Sequence, residues 1–94
     1  MTALAVSGAL DRIAAHELLP QLLDLASSGD ILALDLSAVS AIDGAGLQLL
    51  LAVRREAARA GTHLALANPS PVVSEQLRVH HLEHVLGACV VCMR

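Results

Sequence analysis

The feature that most constrains the fold is an apolar run of strand length, Ile31 to Leu36, followed after a short spacer by a helical pattern. A nearly continuous apolar run suits a strand covered on both faces, as in a parallel sheet flanked by helices. The helical pattern extends from Gly46 to Ala60 and ends at Gly61, because glycine readily takes the left-handed conformation that terminates helices. This unit predicts an α/β domain.

The same alternation extends toward the N-terminus. We predict a strand over Ala3 to Leu10 and then a helix capped by Asp11. Pro20 lies inside that helical pattern, so it either kinks the helix or marks its true start. The segment Ser37 to Ala45, rich in small and polar residues, is interpreted as a loop.

A second strand–helix–strand unit follows. Thr62 to Ala67 alternates like a strand, Ser70 and Pro71 predict a helix start, and Ala88 to Met93 predicts a last strand. The sequence therefore predicts one α/β domain over residues 1–94, with a mostly parallel four-stranded sheet and about three helices. Three helices are few for covering both sheet faces, so we expect one face to be open for docking.

Composition excludes several function classes. The chain has no Phe, Tyr or Trp and a formal net charge of −3, so the stacking rings and basic patch of a nucleic-acid interface are both missing. No apolar run reaches the roughly 18 residues of a membrane span. The first ten residues have no basic leader signature, and we therefore expect a cytoplasmic location.

The segment from Leu34 to Leu47 reads Leu-Asp-Leu-Ser-Ala-Val-Ser-Ala-Ile-Asp-Gly-Ala-Gly-Leu. An apolar strand ending in Asp-Leu-Ser, a spacer, Ile-Asp, two small residues and Gly-Leu together resemble the signature of STAS domains. Ser7 to Asp11 resembles the first strand exit of that family, Gly61 to Asn68 its next strand, and Val72 to Leu86 the following helix. The resemblance spans almost the whole chain and implies a single STAS domain.

The residues at the end of this segment have a physical interpretation of their own. Asp43 can accept hydrogen bonds from the free N–H groups at the start of the helix. Gly44 and Gly46 permit tight turning and the close approach of another backbone. Such a site accepts an anion or a partner's carboxylate. An ordinary capped strand–helix connection explains the same residues, and this alternative stays open.

The resemblance to anti-sigma-factor antagonists implies a non-catalytic protein-binding module in partner switching or chemotaxis-type signalling. Those family members carry a Ser or Thr directly after the motif Asp, which a kinase-like anti-sigma factor phosphorylates. Here that position is Gly44, followed by Ala45, and we expect no phosphorylation there because neither residue has a hydroxyl. Ser37 and Ser40 are alternative phosphoacceptors, although we favour local side-chain to backbone hydrogen bonds for both.

The predicted partner surface combines the loop with the exposed side of the following helix. Its loop residues are Ser37, Ser40, Asp43, Gly44, Ala45, Gly46 and Leu47. Leu47 is expected to be the apolar anchor, and Gln48, Arg55 and Arg59 to supply polar contacts at the rim. The resemblance implies an anti-sigma-factor or kinase-like ATPase as the partner.

Two other functions stay open. The chain also resembles STAS subunits that bind the cytoplasmic ATPase of bacterial ABC-type lipid transporters. A third possibility is a module that only dimerises through its helix face, although the lack of aromatic side chains argues for weak association. The oligomeric state is not predicted.

The serine and aspartate side chains of the sequence do not indicate an enzyme. No serine has the setting of a nucleophile beside a base, and we interpret Asp35 and Asp43 as structural and capping groups. A Gly-rich phosphate cradle with a Lys is missing, and we predict neither an enzyme nor a cofactor.

Two clusters near the C-terminus could suggest metal or redox chemistry. One contains His80, His81, Glu83 and His84. It lacks a third ligand at a firm spacing, so we interpret it as a solvated patch rather than a metal site. Cys89 and Cys92 lie in a predicted strand and point to opposite faces, which favours two reduced structural thiols.

Overall fold

A computed structural model of the chain describes residues 2–82 and 90–91. The elements are β1 Thr2–Leu10, α1 Arg12–Ala26, β2 Ile31–Ile42, α2 Gly44–Ala60, β3 His63–Ala67, α3 Pro71–Val79 and β4 Val90–Val91. The predicted α/β class is confirmed, with three helices and a four-stranded sheet over the described residues. Of the predicted last strand, Val90–Val91 is described, whereas Cys89, Cys92 and Met93 lie outside the described residues.

The sheet has the strand order β1-β2-β3-β4, and its three pairings are all parallel. Each connection moves to the neighbouring strand, so α1 and α2 lie side by side and pack against each other. The carboxyl ends of β1 and β2 consequently lie together, with Leu10 paired to Ile42.

One face of the sheet is buried by the helices. Leu32, Leu34 and Leu36 of β2 are fully buried, and they share a cluster with residues from all three helices. Its helical members include Leu22, Leu50, Val53, Val73 and Leu77. Aliphatic side chains alone fill this core, as expected from a chain without aromatic residues.

The alternate residues of the same strands face the other way and are far less buried. Ala3 and Ala5 are exposed, Ile31 is 42% exposed, and Ala33 and Ala65 are half-buried. The apolar run of β2 is therefore covered well on one face only. This exposure agrees with the expectation that three helices leave one sheet face open.

Local chemistry sets the helix boundaries largely as predicted. Asp11 caps α1, because its Oδ1 accepts a hydrogen bond from the Ala14 N–H at 2.9 Å. Gly61 ends α2 in the left-handed conformation with φ of 74°. Pro20 lies inside α1, which begins at Arg12, so a helix start near Pro20 is ruled out. Ser70 occupies the cap position of α3, but its side chain makes no capping hydrogen bond.

The predicted loop Ser37 to Ala45 is wrong over most of its length. β2 continues to Ile42, and its second half pairs with β1 alone, since the pairing with β3 ends at Asp35. β2 also advances by one extra residue at each of two register shifts along β1. These bulges break the two-residue alternation by which strands are identified in a sequence.

Candidate functional site

Two helix N-termini meet at the carboxyl edge of the sheet. β1 ends at Leu10 and α1 follows at Arg12, while β2 ends at Ile42 and α2 follows at Gly44. The backbone ties the two connections together, because the Asp43 N–H donates to the Leu10 carbonyl at 3.4 Å. We call the surface formed by Asp11–Ile13 and Asp43–Ala45 the sheet-edge site, since these residues line one shallow depression.

Asp43 organises the α2 half of the sheet-edge site. Its Oδ1 accepts hydrogen bonds from the Ala45 N–H at 2.9 Å and the Gly46 N–H at 3.1 Å. The predicted capping role is confirmed, although the helix starts at Gly44 rather than Gly46. The Asp43 carboxylate already offsets the partial positive charge at the start of α2. The geometry therefore favours contact between a partner protein and the surrounding surface over binding of an anion.

The two glycines of this turn have different environments. A Cβ on Gly46 would collide with the Leu10 carbonyl oxygen and lie 2.8 Å from Ile42 Cγ1. The backbone that approaches Gly46 closely is therefore the chain's own first strand rather than a partner's. A Cβ on Gly44, in contrast, would meet no atom within 4 Å. Gly44 is exposed and, because it has no side chain, it leaves the backbone of the first turn of α2 uncovered at the sheet-edge site.

Leu47 does not have the predicted role. It is 3% exposed and belongs to the core cluster, so it cannot anchor a partner. Ile13 on α1 instead supplies an apolar side chain at the sheet-edge site, with 67% of its surface exposed. Ile13 was not among the residues predicted for the partner surface, which all lie between Ser37 and Arg59. Its proximity to Asp43 depends on two helices meeting at one edge.

Ser37 and Ser40 are exposed residues of β2 rather than loop residues. The Ser37 N–H donates to Asp35 Oδ1 at 2.9 Å, and this hydrogen bond, with one from the Ser37 side chain, lowers the pKa of Asp35. Ser37 thus bonds locally to the Asp35 carboxylate through its backbone N–H and its side chain, while the side-chain to backbone hydrogen bonds expected for Ser37 and Ser40 stay a prediction. Ser40 lies apart from the sheet-edge site, in a groove between β2 and α3 with Val72 and Gln76.

The three polar residues predicted on α2 are all exposed, but they do not act alike. Arg59 makes a bidentate ion pair with Glu56, at 2.7 Å from Nε and 2.5 Å from Nη2, and this lowers the pKa of Glu56. Gln48 and Arg55 lie further toward the start of α2 and line a groove against α1. Of the three predicted residues, Arg59 is therefore held in an ion pair, whereas Gln48 and Arg55 form one wall of the groove.

The buried side of α2 is also shifted from the predicted one. The helical spacing of the sequence predicts that Leu47, Leu50, Leu51, Arg54 and Ala58 lie on one side of this helix. The buried residues are Gly46, Leu47, Leu49, Leu50, Val53 and Ala57. Arg54 is half-buried and Ala58 is exposed, because the stripe that contacts the sheet is rotated toward Leu49 and Val53.

The histidine patch is only partly within the described residues. His80 Nε2 lies 3.1 Å from Gln76 Oε1, and His81 has a positive φ of 54° just after α3. Glu83 and His84 lie outside the described residues. Within residues 2–82 and 90–91, no three metal-ligating side chains come together.

In the part of the chain that the structure describes, none of the helices combines the length and the apolar character needed to traverse a bilayer.

The family can be assigned once these features are compared with known proteins. The STAS_2 family model, described as "Mlab, STAS domain", matches residues 1–90. The chain belongs to the STAS domain family. STAS domains are generally non-catalytic regulatory domains that mediate protein–protein interactions. No curated protein matches the chain at a significant level.

Solved STAS structures share the fold. The anti-sigma factor antagonist SpoIIAA in its unphosphorylated form is 22% identical, with a TM-score of 0.74 over 99% of this chain and 81% of that chain. A sulfate transporter family protein from Wolinella succinogenes is 22% identical, with a TM-score of 0.77 over 95% of this chain and 75% of that chain. The SulP transporter STAS domain from Vibrio cholerae is 20% identical, with a TM-score of 0.71 over 95% and 70%. At these identities the likeness establishes the fold.

Proposed function

We propose that this STAS domain is a non-catalytic module that binds a protein partner at the sheet-edge site and does so without phosphorylation at Gly44. The observation that carries the proposal is that the exposed side chain of Ile13 lies beside Gly44, which has no side chain and has open space above it. A partner can contact an exposed apolar side chain that lies beside a shallow surface left uncovered by a glycine. The neutralising cap by Asp43 removes the alternative of a simple anion site.

The partner that we propose is an anti-sigma-factor or kinase-like ATPase, as for the antagonists that this chain resembles. SpoIIAA has been solved in both a phosphorylated and an unphosphorylated form. This chain has no hydroxyl at Gly44 or Ala45, so the negative charge that phosphorylation adds has no acceptor there. Binding at this surface is accordingly constitutive, or is controlled elsewhere on the complex.

A second candidate is a STAS subunit bound to the ATPase of an ABC-type lipid transporter. The description of the matching family model, "Mlab, STAS domain", favours this candidate. Both candidates bind an ATPase, and we propose the sheet-edge site as the contact in either case. They differ in the identity of the ATPase, which copurification from the native host with a tagged full chain determines.

Two variants at exposed positions test the proposal. Gly44→Arg places a long cation at the sheet-edge site, where the structure leaves open space. Ser74→Arg places the same side chain on the exposed surface of α3 and is the matched control. Gly44→Arg should abolish capture of the ATPase, whereas Ser74→Arg should retain it; equal capture by both would refute the proposal.

Phosphorylation is tested with the captured ATPase and labelled ATP. We expect no phosphate on the wild-type chain and a potential acceptor in Gly44→Ser, since a serine side chain fits there without contact. Phosphate on Ser37 or Ser40 of the wild type would show that the domain is switched at β2 instead.

A further inference from the structure

A groove of about 420 Å³ runs between α1 and α2, beginning next to the sheet-edge site. Its floor contains the buried residues Ala15 and Leu49, and its walls contain the half-buried Leu19, Ala45 and Ala52. The groove is therefore apolar along its base and open to solvent along its length.

The groove has the dimensions of a helix-binding surface. Ala45, Leu49 and Ala52 are spaced four and three residues apart on α2, which places them in one line along that helix. Alanine side chains are short, so they allow a further helix to approach the surface between α1 and α2 closely. The line from Ala45 to Arg55 is about 15 Å long at 1.5 Å per residue, which matches about three turns of a helix.

The rim of the groove carries hydrogen-bond donors and one unpaired cation, Arg55. His16 lies on the α1 side and Arg55 on the α2 side, and Arg12 stands one turn before His16. In the described part of the chain, none of these three side chains forms an ion pair, whereas Arg59 and Arg78 are paired with Glu56 and Glu75.

This rim contrasts with the charge of the whole chain, which is −3. Glu17 follows His16 on α1 and lines the outer surface of that helix with Arg12 and Ile13. Glu56 follows Arg55 on α2 and is paired with Arg59. The groove itself contains no carboxylate among its lining residues. The unpaired guanidinium of Arg55 and the imidazole of His16, which carries an N–H donor, face each other across an apolar base, and both are complementary to an apolar ridge with acidic sides.

We propose that the α1–α2 groove binds an amphipathic helix of about three turns from the partner protein, with Leu or Ala on its buried ridge and Asp or Glu opposite His16 and Arg55. This is recognition of a helix in a groove, with apolar anchors at i, i+3, i+4 and i+7. The proposal rests on the proposed function, because it describes the chemistry of the same partner. It adds a second contact beside the sheet-edge site.

The test uses two synthetic helical peptides and the full chain. Both carry the same Leu/Ala ridge and a fluorescent label; one has Glu along both sides of the ridge, and the other has Lys. Fluorescence anisotropy should show the Glu peptide binding at least about tenfold more tightly than the Lys peptide, a difference of about 1.4 kcal/mol. Equal affinities, or no binding of either peptide at about 1 mM, would overturn the proposal.

Charge-reversal variants locate the contact. Arg55→Glu should weaken the Glu peptide by at least about tenfold and strengthen the Lys peptide, whereas the control Arg78→Glu, on α3, should change neither. In NMR spectra of the labelled chain, the Glu peptide should shift the amides of Ala15, Leu19 and Ala52. Shifts confined to α3 or to the open sheet face would contradict the assignment.

The two proposals fail in different ways. Gly44→Arg lies outside the groove lining, so it should leave peptide binding intact while it blocks the ATPase. Loss of ATPase capture without any peptide binding would refute the groove alone. Peptide binding in the groove with undiminished ATPase capture by Gly44→Arg would refute the sheet-edge site alone.

Discussion

Replacing Gly46 by Ala adds one methyl group where the start of α2 crosses the end of β1. The added Cβ would collide with the Leu10 carbonyl oxygen and would lie 2.8 Å from Ile42 Cγ1 and 3.1 Å from Leu10 Cγ. The carbonyl is held in place because it accepts the Asp43 N–H at 3.4 Å. A side chain could rotate away from such a clash, but a backbone carbonyl in a strand cannot.

The magnitude follows from two opposing effects. Overpacking of this kind costs about 1–3 kcal/mol, and contact with backbone places Gly46→Ala near the upper end. Alanine is a better helix former than glycine, which offsets about 1 kcal/mol. We therefore expect a net loss of about 2 kcal/mol in the free energy of unfolding, or roughly 8–16 °C in Tm at about 4–8 °C per kcal/mol for a domain of this size.

Gly44→Ala is the matched control, because it lies in the same helical turn and its added Cβ meets nothing within 4 Å. It should be neutral or slightly stabilising. The chain has no aromatic residue, so unfolding in urea is followed by far-UV circular dichroism rather than intrinsic fluorescence. A difference between the two variants below about 0.5 kcal/mol would refute the packing described for Gly46.

Substitutions at three further positions test the supporting structure by the same urea titration. Asp43→Ala should cost about 1 kcal/mol by removing the cap of α2, and unchanged stability would contradict that role. Thr62 is buried, donates its hydroxyl to the Ala26 carbonyl and accepts the Gly29 N–H at 2.9 Å; Thr62→Val should cost about 1–3 kcal/mol, with most of it restored in Thr62→Ser. The lowered pKa of Asp35 means that its carboxylate stabilises the fold above about pH 4 and that this contribution is lost as the pH falls through the folded-state pKa. In Asp35→Asn, the free energy of unfolding should therefore fall less steeply as the pH is lowered below about 4. An unchanged dependence on pH would contradict this role of Asp35.

The features that were predictable from the sequence depend on chemistry within a few residues. Asp43 caps α2 and Gly61 ends it because each acts on backbone groups of its own turn. The alternation of strands and helices likewise follows from apolar periodicity. These features were sufficient for the α/β class and for the STAS resemblance.

The second half of β2 was not predictable in the same way. Ser37, Ser40 and Ala41 are exposed because this half of the strand has a neighbour on one side only, and two bulges disturb its alternation. Small polar residues in such a strand look like a loop in the sequence. Their pairing is specified by β1, more than thirty residues away in the chain.

The site itself depends on tertiary packing. Leu47 was expected to contact a partner, but it lies on the side of α2 that packs on the sheet and belongs to the core. Ile13 and the α1–α2 groove become visible only when the two helices lie side by side. The periodicity of a sequence predicts that a helix has an apolar face. It does not show which part of that face is covered by a second helix.

The central claim is that the sheet-edge site around Gly44 binds the ATPase partner, and affinity measurement by calorimetry tests it most directly. The copurified ATPase is titrated with the wild-type chain, Gly44→Arg and Ser74→Arg, after circular dichroism has shown that all three are folded. We predict that Gly44→Arg weakens binding by at least about 30-fold, equivalent to about 2 kcal/mol, and that Ser74→Arg changes it less than about twofold. Equal affinities for the two variants would contradict the claim.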